Sequence, residues 1–272
     1  MRPKFEVVSN EDQAKVTMSN RLARSAQGLS LSEKRIVALA LASEDSKSIS
    51  RLAEASTERG WKTKVKALDY AKAFNIDANT AYDQLKAAAD RLFERQVTYE
   101  DKSTRGKTRI NKFRWVSLAQ YTLGDGLIEL NFTPEIAPHL LGLRSHFTSY
   151  KLRHAASFES VYAWRLFEVF ESWKSTGLYT CVIEDFWETM EAPPSCRKDF
   201  KSLRVRVIEP AVAAIRQHAG LKVEWVPIRK GARRVTSLEF RFGPEDQGVF
   251  DLERATPALI TSDADESRPT NP

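Results

Sequence analysis

Between residues 195 and 242 the chain carries twelve lysines and arginines against four acids, a local net charge of +8. Ammonium and guanidinium groups at that density suit one kind of chemistry, the gripping of phosphates and base edges on a polyanion. Lys198, Ser202 and Arg206 recur every four residues, with Lys201 beside them. They lie across from the apolar series Phe200, Leu203, Val207 and Ala211. The spacing predicts a helix over 197–217, buried on one side and basic on the other, a shape that fits a major groove. Arg204 falls toward the apolar stripe, where its stem is expected to snorkel. Pro210 offers no N–H to the Arg206 carbonyl, so a kink or restart is expected there. Two strand-like runs, LKVEWVP and RVTSLEFRF, then flank a tip where Arg229, Lys230, Arg233 and Arg234 surround Gly231. A cationic helix beside a cationic hairpin puts two phosphate-gripping elements on one face. The bland alternative is a solvated basic surface whose edge charges only discourage aggregation.

A second basic run precedes this one. Lys102, Arg105, Lys107, Arg109, Lys112 and Arg114 follow one another with no acid between them. The helical segment before that run is balanced: Asp83, Asp90 and Glu94 offset Lys86, Arg91 and Arg95. The first half is therefore expected to position the DNA backbone through a wing, and the second half to read bases.

Catalytic chemistry finds no starting residue. STRGKT resembles the end of a phosphate-binding loop, but the pattern needs glycine where Asp101 stands, and a strand-to-helix context. His139, His146, His154 and His218 include no pair at metal-binding spacing. No catalytic residue, metal or cofactor is expected, and the reading is of a binding protein rather than an enzyme. Cys181 and Cys196, a lone pair, make no disulfide framework. The longest strictly apolar run, Ile36–Ala42, is too short to cross a bilayer, and MRPKFEVVSNEDQ lacks a signal-peptide core. A cytoplasmic chain without membrane contact is the expectation.

The elements that must hold these residues recur in one order. LSLSEKRIVALALASE opens with Ser30 three residues before Glu33, a capping-box start. A short strand at Trp61–Asp69 feeds two helices split by a turn at Asn75–Asn79, the helix-turn-helix pattern. Strands RQVTYED, RINKFRWVSLAQY and GLIELNF follow. A helix near SFESVYAWRLFEVFESW, a strand GLYTCVI, a short helix EDFWETME and the basic segment repeat that order. The fold class is α+β: two tandem winged helix-turn-helix domains, residues 1–148 and 149–243. The tail, 244–272, has seven acids against two bases and no periodicity, and is expected to be disordered. Ile36, Val37, Leu39 and Ala40, with the segment Leu127–Phe132, are the expected surface for a second copy.

From Val16 to Phe242 the chain resembles the initiator proteins of iteron-containing, theta-replicating plasmids. The likeness is carried by VTMSNRLARSAQGLSLSEKRIVALAL, and by the segment holding Phe147, Thr148, Leu152, Ser160, Tyr162, Arg165, Leu166 and Glu168. It is carried further by DFKSLRVRVIEPAVAAI and the hairpin after it. APPSCRKDF departs from the tyrosine-containing approach of the family, and Ser202 and Val205 make the helix less basic. The resemblance implies monomers bound to direct origin repeats in double-stranded DNA, and dimers that repress the protein's own promoter. It implies a host initiator protein and a replicative helicase as partners. A winged-helix repressor without a replication role is the alternative, and a rolling-circle nicking enzyme a more distant one.

Overall fold

The computed structural model describes residues 14–43, 58–121, 124–141, 146–230 and 234–245. The tail beyond residue 245 lies outside them. Strand β1 (Lys15–Ser19) leads through a short helix α1 (Asn20–Ala23) to α2 (Leu31–Ala42). The capping box is formed: the Ser30 hydroxyl accepts from the Glu33 N–H and the Glu33 carboxylate accepts from the Ser30 N–H. Strand β2 (Trp61–Lys66) runs straight into α3 (Ala67–Phe74), and Asn75, left-handed at φ 49°, turns the chain toward α4 (Ala78–Glu94). Asp77 caps α4 by accepting the Asn79 N–H at 2.9 Å.

The predicted strand over 109–121 is broken. Strands β3 (Gln96–Lys102) and β4 (Thr108–Arg114) form a two-stranded ribbon of their own. Trp115 is the corner at which the chain leaves that ribbon for β5 (Val116–Tyr121). Its side chain is 1% exposed and its indole N–H donates to the Gln27 carbonyl at 2.9 Å. A buried indole needs such a partner, and the partner fixes where the strand must bend. Strand β6 (Leu127–Phe132) then completes a three-stranded antiparallel sheet in the order β2-β6-β5.

After α5 (Ala137–Leu140), strand β7 (Phe147–Lys151) pairs antiparallel with β1, from Lys15↔Lys151 to Ser19↔Phe147. Helices α6 (Leu152–Ala156) and α7 (Val161–Ser172) follow, then β8 (Leu178–Val182) and α8 (Ile183–Met190). Next come α9 (Pro194–Lys198), α10 (Phe200–Leu203), a π turn (Arg204–Ile208) and α11 (Glu209–Ala219). Strands β9 (Leu221–Lys230) and β10 (Arg234–Pro244) close the described chain, in a sheet ordered β8-β10-β9. In both sheets the first strand pairs with the last, and the last with the middle one. The two units therefore share a topology as well as an order of elements, and each is a winged helix.

Each unit has an aromatic core. Trp61 stacks on Phe132 at 4.8 Å in the first, and Phe170 stacks on Phe242 at 4.3 Å in the second. Helix α7 is buried on every side from Ala163 to Phe170, because the first unit covers the face that a free helix would show to water. Much of the expected surface for a second copy is taken up by the first unit's own core: Ile36, Val37, Ala40, Ile128, Leu130 and Phe132 are buried, while Leu39 and Leu127 are half-buried.

The contact between the units buries polar groups among apolar ones, with the Phe74 ring centroid lying 6.3 Å from that of Trp164. The Lys34 ammonium donates to Glu168 and to the Gln27 side chain, both at 2.6 Å, and Tyr150 donates to the second Glu168 oxygen at 2.8 Å. Trp164 donates in turn to the Tyr150 hydroxyl at 2.9 Å. Burial pulls the Lys34 ammonium down to about 8, and the Glu168 charge opposes that fall. Arg165 pairs with Glu191, whose other oxygen accepts the Gly28 N–H.

Candidate nucleic-acid interface

The basic segment folds in three steps. Helix α9 ends at Lys198, and Asp199 resets the chain at φ −135°. Its carboxylate accepts from the N–H groups of Lys201 and Ser202 at 3.1 and 2.9 Å, and from the Ser202 hydroxyl at 2.7 Å. The Ser202 hydrogen bonds hold the Asp199 carboxyl below the ordinary carboxylate range. The helix predicted over 197–217 thus starts at Phe200 and runs to Ala219. Lys198 sits on the preceding short helix, so it is not one turn before Ser202 on a shared face.

Pro210 acts as its chemistry requires, though by widening the helix rather than kinking it. The Glu209 N–H donates five residues back to the Arg204 carbonyl, and Arg204–Ile208 form a π turn. The extra residue lets both Val207 and Ile208 reach the core beside Leu203, Ala211 and Ile215. Lys201, Arg204, Val205 and Arg206 are left exposed. Arg204 is about half exposed (47%), and its guanidinium lies 3.5 Å from Glu209, an exposed pair of small energetic value. Arg206 forms no salt bridge among the described residues.

The wing stands beside this helix. A groove of about 590 Å3 has a floor that includes Trp187 and Phe200. Its walls hold four cations: Arg197 and Lys198 from α9, Arg229 from β9 and Arg234 from β10. Arg197 has no place in the sequence-based candidate set. Its Nε donates to the Ala192 carbonyl at 2.7 Å and its Nη1 meets Glu188. Arg234 lies 3.3 Å from Glu184 with both side chains exposed. The side chain of Lys230 and the whole of Arg233 fall outside the described residues.

The first unit presents its cations differently. Arg105, Lys107 and Arg109 are exposed on the β3–β4 ribbon, and the Lys102 side chain is outside the described residues. By sheet order the counterpart of the β9–β10 wing is β5–β6, so the basic ribbon is an insertion before the wing and not the wing itself. The cations of α4 are engaged within the unit. Arg91 and Arg95 lie 3.5 and 3.0 Å from Glu33, and Lys86 stands 4.7 Å from the Tyr121 ring centroid.

Among the described residues no group of three His, Cys, Asp or Glu could hold a metal ion, and no helix is long and apolar enough to cross a membrane.

Comparison with known proteins adds the following. Residues 15–171 match the family described as "Initiator Replication protein, WH1", and residues 182–242 match "Initiator Rep protein, WH2". A 27.6 kDa uncharacterized protein of Escherichia coli is 26% identical over 78% of this chain and 88% of its own length. The PI protein of Escherichia coli is 23% identical over 92% of this chain and 90% of its own. Among solved structures, a Pi initiator protein in complex with iteron DNA superposes with a TM-score of 0.68 at 20% identity, covering 85% of this chain and 97% of that one. The last is a likeness of fold.

Proposed function

This chain belongs to the initiator replication protein family, and on that footing we propose that it is a sequence-specific DNA-binding initiator of plasmid replication that recognises direct repeats at its origin. The observation that carries the reading is the tandem match of both initiator family models, over residues 15–171 and 182–242. The chemistry agrees with it. A helix exposing Lys201, Arg204 and Arg206 stands beside a wing exposing Arg229 and Arg234, a pairing of base-reading and phosphate-gripping elements on one unit.

The division of labour is part of the proposal. Residues 149–243 read the repeat, with Lys201, Ser202, Arg204 and Arg206 on the helix. Lys198 joins Arg229, Lys230, Arg233 and Arg234 on the phosphates. Residues 1–148 hold the backbone through Lys102, Arg105, Lys107 and Arg109 on the ribbon, and carry the contacts of the dimer that represses its own promoter. Ser202 is the most constrained of the set, since its hydroxyl already donates to the Asp199 carboxylate that caps the helix. Host initiator protein and replicative helicase are the partners that replication from a melted origin needs. The chain acts by binding rather than by catalysis, in the cytoplasm where plasmid DNA is kept.

Footprinting on the DNA that flanks the gene tests the reading. An initiator protects several repeats in the same orientation, each covering on the order of two helical turns, since two winged helices in one chain reach successive groove faces. A single palindrome would make the chain a plain repressor.

A further inference from the structure

The most outward residue of the recognition helix is not one of its cations. An α-helix advances about 100° per residue and the wider π turn less, so in either a side chain two positions away lies roughly on the opposite side of the axis. Val205 is two residues from Leu203 and two from Val207, both of which are buried. It therefore stands opposite the core stripe, at the crown of the exposed face, while Arg204 and Arg206 flank it on either side. Lys201 and Ser202, one turn earlier, share its face. The π turn keeps Val205 there: with five residues in the wide turn, Val207 and Ile208 both face inward, and Val205 is left 48% exposed. A single exposed valine on an ordinary surface would call for no explanation. This one occupies the centre of the surface that enters the groove. A major groove offers donors and acceptors at every base pair and one kind of apolar group, the C5-methyl of thymine.

Resting on the DNA-binding reading above, we propose that Val205 is a specificity-determining residue that recognises the C5-methyl group of a pyrimidine, with Arg204 and Arg206 contacting the flanking bases or phosphates. The methyl group belongs to thymine or to 5-methylcytosine, and the same contact serves both. The guanidinium of either arginine presents only donors, so its hydrogen bonds read acceptors and not a methyl group.

The test uses the full chain and a duplex selected from a random pool, so it holds whether the selected site is a direct repeat or a palindrome. Each thymine of that duplex is replaced in turn by deoxyuridine, which removes only the methyl, and each cytosine in turn by 5-methylcytosine. Burying one methyl is worth about 0.8 kcal/mol, or about fourfold in affinity. The wild-type chain is expected to lose about that factor at one or two thymine positions. Val205→Ala, which keeps a good helix former at an exposed site and so preserves folding, is expected to bind the thymine and deoxyuridine duplexes equally there. A gain on 5-methylcytosine that vanishes in Val205→Ala would support the contact equally and place the methyl on a cytosine. Identical sensitivity of wild type and Val205→Ala at every position overturns the proposal, as does a wild type indifferent to every methyl. If the pool yields no preferred duplex, the sequence-specific reading falls and the methyl contact falls with it. If it yields a palindrome with a methyl-sensitive position, only the initiator reading falls.

Discussion

Replacing Arg206 and Arg234 by alanine, one at a time, separates base reading from phosphate gripping. Arg206 is exposed and forms no salt bridge among the described residues, so Arg206→Ala removes nothing that holds the fold together. Its whole cost falls on the complex. A guanidinium lost from a base edge costs about 1–3 kcal/mol, or about 5- to 150-fold, on the true site and far less on scrambled DNA. Arg234 starts from a different place, since Glu184 lies 3.3 Å away. That exposed pair is worth about 0–1 kcal/mol, too little to keep the guanidinium from a phosphate. Arg234→Ala should weaken specific and scrambled binding alike. It should also reduce the slope of log K against log salt by about 0.9. Between 50 and 200 mM salt, a slope change of about 0.9 shrinks the penalty of the substitution about 3.5-fold. Binding isotherms on both duplexes at four salt concentrations measure every term. The reasoning is refuted if Arg206→Ala lowers both affinities equally while Arg234→Ala loses only the true site.

Lys34→Met should cost about 3–5 kcal/mol in chemical denaturation, because it strands the buried Glu168 carboxylate, and Lys34→Met with Glu168→Met should recover much of that loss. Because the folded Lys34 holds its proton less tightly than the unfolded side chain does, its contribution makes stability rise as pH climbs from about 8 toward 10. Melting curves across that window should show the rise in the wild type and lack it in Lys34→Met. Pro210→Ala restores the missing N–H donor and should raise the melting temperature while lowering discrimination between true and scrambled DNA, through loss of the π turn; unchanged discrimination would show that the turn is only structural. Removing residues 246–272, with six acids against two bases, should leave melting and specific binding intact and slightly tighten binding at low salt; a large drop in melting temperature would show that this segment docks on a domain.

What was legible in the sequence was local. The Ser30–Glu33 box, the turn at Asn75 and the pairing of β9 with β10 each depend on residues close to one another in the chain. The Asp199 cap was equally local. An aspartate three residues before Ser202 and just ahead of an apolar series is a helix-start signal. It was hidden because Lys198, Ser202 and Arg206 happen to keep a four-residue step across the break. Other features depended on distant residues. Strand β1 pairs with β7, and Thr17 hydrogen-bonds Ser149 at 3.0 Å across 132 positions. Nothing in KVTMS or FTSYK alone distinguishes an edge pair from a loop. The corner at Trp115 is set by the carbonyl of Gln27, 88 residues away. The burial of Arg165 and Glu168 within α7 follows from the first unit covering that helix, and no helical wheel contains that information. For the candidate site, composition pointed to a basic segment but not to the geometry of its exposed face. Counting cations pointed to Arg206, whereas the angular argument needs to know that Leu203 and Val207 are both buried, and puts Val205 at the crown.

The two kinds of internal contact have different energetic consequences. Within each unit the core is apolar and aromatic, and burial of rings such as Trp61, Phe132, Phe170 and Phe240 accounts for its cohesion. Between the units the polar contacts include Lys34 with Glu168, and the Gly28 N–H with the Glu191 carboxylate. A buried ion pair yields little net stability over apolar residues of the same volume, yet breaking one by removing a single partner is expensive. These polar contacts add little strength but are exacting about geometry, because a small slide takes Lys34 and Gln27 of the first unit away from the Glu168 carboxylate. An apolar seam would tolerate that slide. If both units contact DNA, as proposed above, such contacts hold them at one spacing, since an error of a single base pair between them would set one unit on the wrong groove face. On this argument, changes at the seam alter which repeat spacing is bound more than they alter the affinity of either unit for its own half.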